Sequence, residues 1–241
     1  MSPAPETPLT QEKSSLKAGI NARMLQVLFM FVVLWLELFL GSGHLNWKAG
    51  WVFMGISLLN LAVNAVFMFS RSPETIAERG KPGEAKSWDK LIAGIWYLGQ
   101  YLLLPLLAAL DVRFGWSAQY SNLWQGLGAV GYAAGLGLTS WAMISNAYFS
   151  TAVRIQADRR QRVCRTGPYR YIRHPGYVGF FIQAFSVPIL LGSLWALLLA
   201  IPIVVLMVMR TSLEDRMLQE ELEGYKEYAQ EVRYRLIPGM W

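Results

Sequence analysis

Long apolar runs separated by short charged segments set the pattern of this chain. Residues 24–41, 50–70, 91–110 and 123–145 are almost wholly apolar. Each is close to the roughly 20 residues that a helix needs to cross a hydrocarbon core ~30 Å thick. A fifth apolar stretch, 177–209, is too long for one ordinary span. Gly192 and Ser193 divide it into 177–191 and 194–209, a pair that predicts a helical hairpin, with Pro188 and Pro202 as expected kinks. Beyond it, Leu213, Met217, Leu218, Leu222, Tyr225, Tyr228 and Val232 recur at helical spacing among charged residues. That spacing predicts an amphipathic helix over 211–232 that lies on the membrane or folds back over the hairpin.

Charge orders these segments. Lys13, Lys17 and Arg23 precede the first run; Arg71, Arg79, Lys81, Lys86 and Lys90 follow the second. Arg154, Arg159, Arg160, Arg162, Arg165, Arg170 and Arg173 follow the fourth, whereas the intervening loops carry only Lys48 and Arg113. The alternation places the basic loops and both termini in the cytoplasm. The expected fold is an all-α integral membrane protein of five to six membrane helices, the last two a hairpin, with a C-terminal amphipathic cytoplasmic helix. Its expected parts are a flexible arm over 1–22, four spans within 23–145, and a site-bearing region over 146–241.

Composition narrows the classes further. The chain is 54% hydrophobic and 16% charged, with a mean hydropathy of +0.30, so it is expected to lack a separate soluble domain. A net charge of +6 is read as affinity for anionic lipid rather than nucleic acid. One cysteine, Cys164, and two histidines leave no disulfide framework and no expected metal site. Gly126, Gly128 and Gly131 spell the G-x-G-x-x-G spacing of dinucleotide sites, but inside an apolar run. Gly128, Gly131, Gly135 and Gly137 are expected to pack helices. Glu37, inside the first run, is expected to be a structural hydrogen bonder or a protonated acid, and Asn60 and Asn64 to join helices.

The candidate chemistry lies in Arg165–Gly179, where Arg165, Arg170, Arg173 and His174 are interleaved with Pro168, Pro175, Gly167 and Gly176. Fixed charge at the mouth of a membrane hairpin is costly to place and is a functional candidate. Glu214-Asp215-Arg216-Met217-Leu218 follows the hairpin and must lie on the same side. Arg233, Tyr234 and Arg235 come next, ahead of Pro238-Gly239.

These segments resemble the isoprenylcysteine carboxyl methyltransferase family, with its bacterial members and the related phospholipid methyltransferases. Arg173-His174-Pro175, Tyr177 and Gly179 match its R-H-P-x-Y-x-G pattern. Glu214 to Leu218 match E-E-x-x-L, with Asp215 in place of the second Glu. The resemblance is strongest over 153–241 and implies S-adenosylmethionine as cofactor. It implies Tyr169, Arg173, His174, Pro175, Tyr177, Gly179, Glu214 and Leu218 as its binding residues. In that scheme His174, Tyr169 and Tyr177 take the adenine, Arg173 the methionyl carboxylate and Glu214 the ammonium or ribose. Pro175 fixes the backbone and Gly179 permits close approach. Arg233 or Arg235 is expected to hold an acceptor carboxylate in line. The acceptor is expected to be a lipophilic small molecule or lipid-modified group carrying a carboxylate, amine or thiol, at the cytoplasmic face of a bacterial inner membrane. The alternatives are a sterol-reductase-like enzyme using NADPH and a non-catalytic membrane scaffold.

Overall fold

A computed structural model describes residues 8–71, 85–118 and 120–241, with the backbone alone for 8–16 and 68–71. The described elements are α1 (Pro8–Ser42), α2 (Lys48–Arg71), α3 (Ser87–Leu98), a π turn (Gly99–Leu103) and α4 (Leu104–Phe114). They continue with α5 (Asn122–Ser145), α6 (Pro175–Leu191), α7 (Leu194–Glu221) and α8 (Tyr225–Glu231). Short 3₁₀ turns occupy Ala157–Arg159 and Gly167–Arg170.

Five described helices are long and apolar enough to span a membrane: Lys17–Ser42, Lys48–Phe67, Ser87–Phe114, Asn122–Ser145 and Leu194–Glu221. They belong to an all-helical integral membrane protein. Large side chains such as Leu25, Phe29, Leu59, Val66, Leu91, Leu123 and Val130 are exposed on their outer faces, as a bilayer requires and water does not reward. Helix α6 has only 17 residues. At ~1.5 Å per residue it falls short of a full crossing.

Three elements differ from expectation. Helix α1 begins at Pro8, so the polar segment expected as a flexible arm is helical from there; residues 1–7 lie outside the described residues, as do Arg79 and Lys81. The expected separate helix over 211–232 is not one helix. Helix α7 runs unbroken from Leu194 through Pro202 to Glu221, because no breaker separates Met209 from the acidic motif. The chain turns only at Gly224, in the left-handed region at φ +76°, where α8 begins. Glu37 is buried with neither carboxylate oxygen hydrogen-bonded among the described residues, so of its two expected states only the hydrogen bond is overturned.

Helix α6 is the centre of the packing. The core cluster that its Ala184, Val187, Leu190 and Leu191 join also contains Leu38 and Phe39 of α1, Phe53 of α2, Trp96 of α3, Leu104 of α4 and Met207 of α7. Helix α6 lies closest to α5, because glycines remove the side chains between them. A Cβ at Gly128 would strike the backbone of Leu190, and one at Gly131 the hydroxyl of Ser186. One at Gly135 would lie 2.8 Å from the carbonyl of Gly179. The glycine pattern of α5 is thus a packing pattern, as expected, although Gly137 faces open space. Asn60 and Asn64 do join helices: Asn64 donates to Ser140 at 2.7 Å, and Ser140 to Asn60 at 2.9 Å. The turn at Gly192-Ser193 is anchored to the end of α4, where Asp111 accepts from Ser193 at 2.5 Å and from the Ser117 amide at 2.7 Å.

Candidate active site

The proline and glycine positions of 165–179 build the site's backbone. Gly167 takes φ +58° and opens a 3₁₀ turn with Pro168. Pro175 supplies the first turn of α6, where a missing amide hydrogen costs nothing. Between them, the amides of Arg173 and His174 donate to the carbonyls of Tyr234 and Arg235, both at 2.9 Å. The C-terminal tail is therefore zipped along the Arg-His-Pro segment. The tail closes on itself as the Arg235 and Leu236 amides donate to the Trp241 carbonyl at 3.0 and 3.1 Å.

Asp215 is the electrostatic hub, fully buried on α7. It accepts from Arg173 at 2.8 and 3.1 Å, from Arg235 at 2.8 Å, from Gln219 at 2.8 Å and from Tyr225 at 3.0 Å. His174 Nε2 lies 3.2 Å from its Oδ1. A carboxylate at that position makes Nε2 a protonated nitrogen that donates to it. Arg173 is also saturated on its other side, donating from Nη1 to the carbonyls of Val232 and Arg233, both at 2.8 Å.

A second buried ion pair braces the same region. Arg210 donates to Asp89 at 2.6 and 3.1 Å and to the Thr151 carbonyl at 2.9 Å. Asp89 also accepts from the Val153 amide at 2.8 Å. The pair ties α3, α7 and the 146–165 loop together. Arg210 lies over the Tyr177 ring at 5.6 Å, and the Tyr177 hydroxyl donates to Glu214. Tyr177 stacks on His174 with ring centroids 5.7 Å apart and planes at 8°.

A cavity of about 770 Å³ opens beside these groups. Tyr169, Arg173, His174, Tyr177, Glu214 and Leu218 line it. The cavity continues past Phe180 and Gln183 between the apolar spans, reaching Phe31 and Leu34 of α1 and Phe53 of α2. Its polar end carries Arg23, Arg154 and Arg162, so the basic end of α1 and the basic 146–165 loop share one mouth.

Four sequence-selected residues lie elsewhere. Pro175 and Gly179 do not line the cavity. A Cβ at Gly179 would strike Thr139 and the carbonyl of Gly135, so this glycine serves the α5–α6 contact. Arg233 is exposed, and Arg235 is drawn to Asp215 and over the Trp241 ring at 4.9 Å. Both line a separate tail pocket instead. Arg173 lines the cavity with four of its five N–H groups committed to Asp215, Val232 and Arg233.

Sequence reasoning left three partners out. Asp215, read in the sequence only as the residue in place of the motif's second Glu, pairs with Arg173 and Arg235. The Asp89–Arg210 pair spans two distant segments that no local spacing links. Tyr225 and Tyr228, read in the sequence only as helically spaced positions of 211–232, are buried, with the Tyr228 hydroxyl donating to the Tyr169 carbonyl at 2.7 Å. Burial pushes the phenols of Tyr169, Tyr225 and Tyr228 above their ordinary range, with the Asp215 charge adding to the effect on Tyr225. Among the described residues no group of acids, cysteines and histidines is arranged to hold a metal ion.

Residues 131–221 match the model of the isoprenylcysteine carboxyl methyltransferase family. The stretch runs from the middle of α5 to the last residue of α7 and contains the cavity wall formed by His174, Tyr177 and Glu214. The match covers less than half of the chain and makes this region similar to that family. No curated protein was found to match the chain.

Proposed function

We propose that this chain transfers a methyl group from S-adenosylmethionine to a lipophilic acceptor at the membrane surface, the acceptor group being an isoprenylcysteine-like carboxylate. One observation carries the proposal. A cavity with an aromatic and carboxylate-bearing wall at its polar end continues between membrane spans at its other end, so one space accommodates a polar cofactor and an apolar tail.

The wall fits the cofactor's parts. Glu214 gives Oε2 to Tyr177 and has no partner for Oε1 among the described residues, which leaves a carboxylate oxygen for the ammonium or a ribose hydroxyl. With its ring neutral, His174 offers Nδ1 as an acceptor for the exocyclic amine of adenine. The rings of Tyr169 and Tyr177, with Leu218, give the base an apolar slot. S-adenosylmethionine, when bound, supplies a methyl group activated by its sulfonium. The chain's own task is then to position and to exclude water.

An acceptor carboxylate is already a nucleophile and needs no base. It needs a cation to hold it in line. Arg233 and Arg235 line another pocket, and four of the five Arg173 N–H groups are committed to Asp215, Val232 and Arg233. Arg162 lines the cavity mouth with no partner among the described residues, and we assign it that role. The family match favours methyl transfer over nicotinamide-dependent reduction. We place the site and both termini at the cytoplasmic face from the basic loops, and take 146–241 as the cofactor-binding region.

The reading is tested by incubating the purified chain and a farnesyl thioether carboxylic acid with methyl-labelled S-adenosylmethionine. Label should enter the organic phase and be released by mild base, as a methyl ester is. Absence of transfer by folded protein to carboxylate, amine and thiol acceptors alike would sink it.

A further inference from the structure

The tail pocket is a basic site that the methyl-transfer reading leaves unused. It is a separate cavity of about 380 Å³ whose lining includes Arg173, Arg233, Tyr234, Arg235, Met240 and Trp241, and no acidic side chain. Asp215, buried behind it, accepts from Nε and Nη2 of Arg173 and from Nε of Arg235. The Nη groups of Arg235 and the whole guanidinium of Arg233 have no hydrogen-bond partner among the described residues. Both can be reached from outside: Arg233 is exposed, and the Arg235 side chain is 31% exposed. Arg235 is also held in place, between Asp215 and the Trp241 ring at 4.9 Å.

The depth of this pocket in a bilayer follows from α7. Exposed tryptophans, Trp51, Trp116, Trp124 and Trp195, gather at one end of the bundle. There Arg113 donates to the Leu40 carbonyl, Asp111 accepts from Ser193, and Gly192 adjoins Gln125. Such a girdle marks a membrane–water interface. Helix α7 starts at that level, at Leu194. At ~1.5 Å per residue Asp215 lies about 32 Å further along it, far enough to cross a hydrocarbon core of ~30 Å. The tail is tied to Asp215 through Arg235 and to the amides of Arg173 and His174. Its pocket therefore stands at headgroup level on the opposite interface. The apolar side chains beside it fit that depth, with Ile237 47% and Met240 79% exposed. Cations beside exposed apolar groups match a ligand that carries a phosphate and acyl chains on one molecule, whereas a soluble anion would leave Ile237 and Met240 in water.

We infer that the tail pocket binds the headgroup of an anionic phospholipid from the surrounding leaflet. The phosphate accepts from Arg233 and from the Nη edge of Arg235, as the planar guanidinium fork suits. The acyl chains run past Ile237 and Met240. This site does not depend on what reaction the larger cavity performs.

The experiment titrates the full chain in detergent with phosphatidylglycerol and, separately, with phosphatidylcholine, and counts bound lipid by native mass spectrometry. Phosphatidylglycerol should bind about fivefold or more tightly than phosphatidylcholine, the worth of one arginine facing an anionic lipid. Arg233→Ala should remove most of that preference and keep the wild-type unfolding midpoint, because its side chain is exposed and unpaired among the described residues. Arg216 is exposed and lines neither cavity, so Arg216→Ala should retain the preference. Inorganic phosphate at matched concentration should not displace the lipid. Equal affinity for the two lipids overturns the assignment. Equal losses in the two variants, which diffuse charge attraction would give, or displacement by inorganic phosphate, which a soluble-anion site would give, overturn it as well.

Discussion

Arg173 and Asp215 form a buried two-point ion pair, Nε to Oδ1 at 2.8 Å and Nη2 to Oδ2 at 3.1 Å. The pair joins the Arg-His-Pro segment to the acidic motif of α7, and through Val232 and Arg233 to the tail. Its role is architectural: it holds His174 and Glu214 on the same wall. Removing one partner strands the other charge in a buried place. Asp215→Ala should therefore cost about 3–5 kcal/mol in unfolding free energy. Arg235→Ala, whose side chain is 31% exposed, should cost less than about 1 kcal/mol. Denaturant titrations in detergent compare the two; equal losses would remove Asp215 from the centre of the fold.

Glu214 differs from its neighbour because it is half-buried and has an oxygen to spare. Glu214→Gln should weaken S-adenosylhomocysteine binding about tenfold, as loss of one charged hydrogen bond does. The unfolding midpoint should stay within a few degrees of the wild type. A variant that binds normally would show that this carboxylate does not touch the cofactor.

The glycines of α5 and α6 provide an internal contrast. Gly128→Ala drives a methyl group into the backbone of Leu190, and Gly179→Ala drives one into Gly135. Each should destabilise by about 1–3 kcal/mol, the cost of overpacking a tight core. Gly137→Ala meets nothing within 4 Å and should be neutral or slightly stabilising, since alanine favours helix. Thermal unfolding of the three variants measures the order.

Alkaline pH should loosen the tail region. The phenols of Tyr169, Tyr225 and Tyr228 are raised above 10.0 by burial. The native state then holds their protons more tightly than the unfolded chain does. Their stabilisation is complete below the unfolded value and is lost as pH rises through the higher native values. The unfolding midpoint should fall above about pH 10, and Tyr228→Phe should fall less steeply. An identical slope in that variant would contradict the assignment.

The spans were legible because a bilayer demands long apolar helices, and that demand is written in 24–41, 50–70, 91–110 and 123–145. The packing role of Gly128, Gly131 and Gly135 was legible for the same reason, since a phosphate-binding loop has no place inside a span. The site segments were legible as motifs, but the duty of each charge was not. Arg173 and Asp215 are 42 residues apart, and Asp89 and Arg210 are 121 apart. Which cation meets which carboxylate is decided by how α6, α7 and the tail dock. The continuation of α7 past Met209 was hidden because its amphipathic end reads as a separate helix. Arg233 and Arg235 looked free because nothing in the sequence shows that the tail pairs its backbone with Arg173 and His174.

The central claim is that the cavity beside His174, Tyr177 and Glu214 holds the methyl donor. Calorimetric titration of the purified chain with S-adenosylhomocysteine, alongside Glu214→Gln and Arg233→Ala, tests it most directly. The account predicts saturable binding by the wild type, marked weakening in Glu214→Gln and no change in Arg233→Ala. A folded wild type that does not bind, or weakening in Arg233→Ala with none in Glu214→Gln, would contradict it.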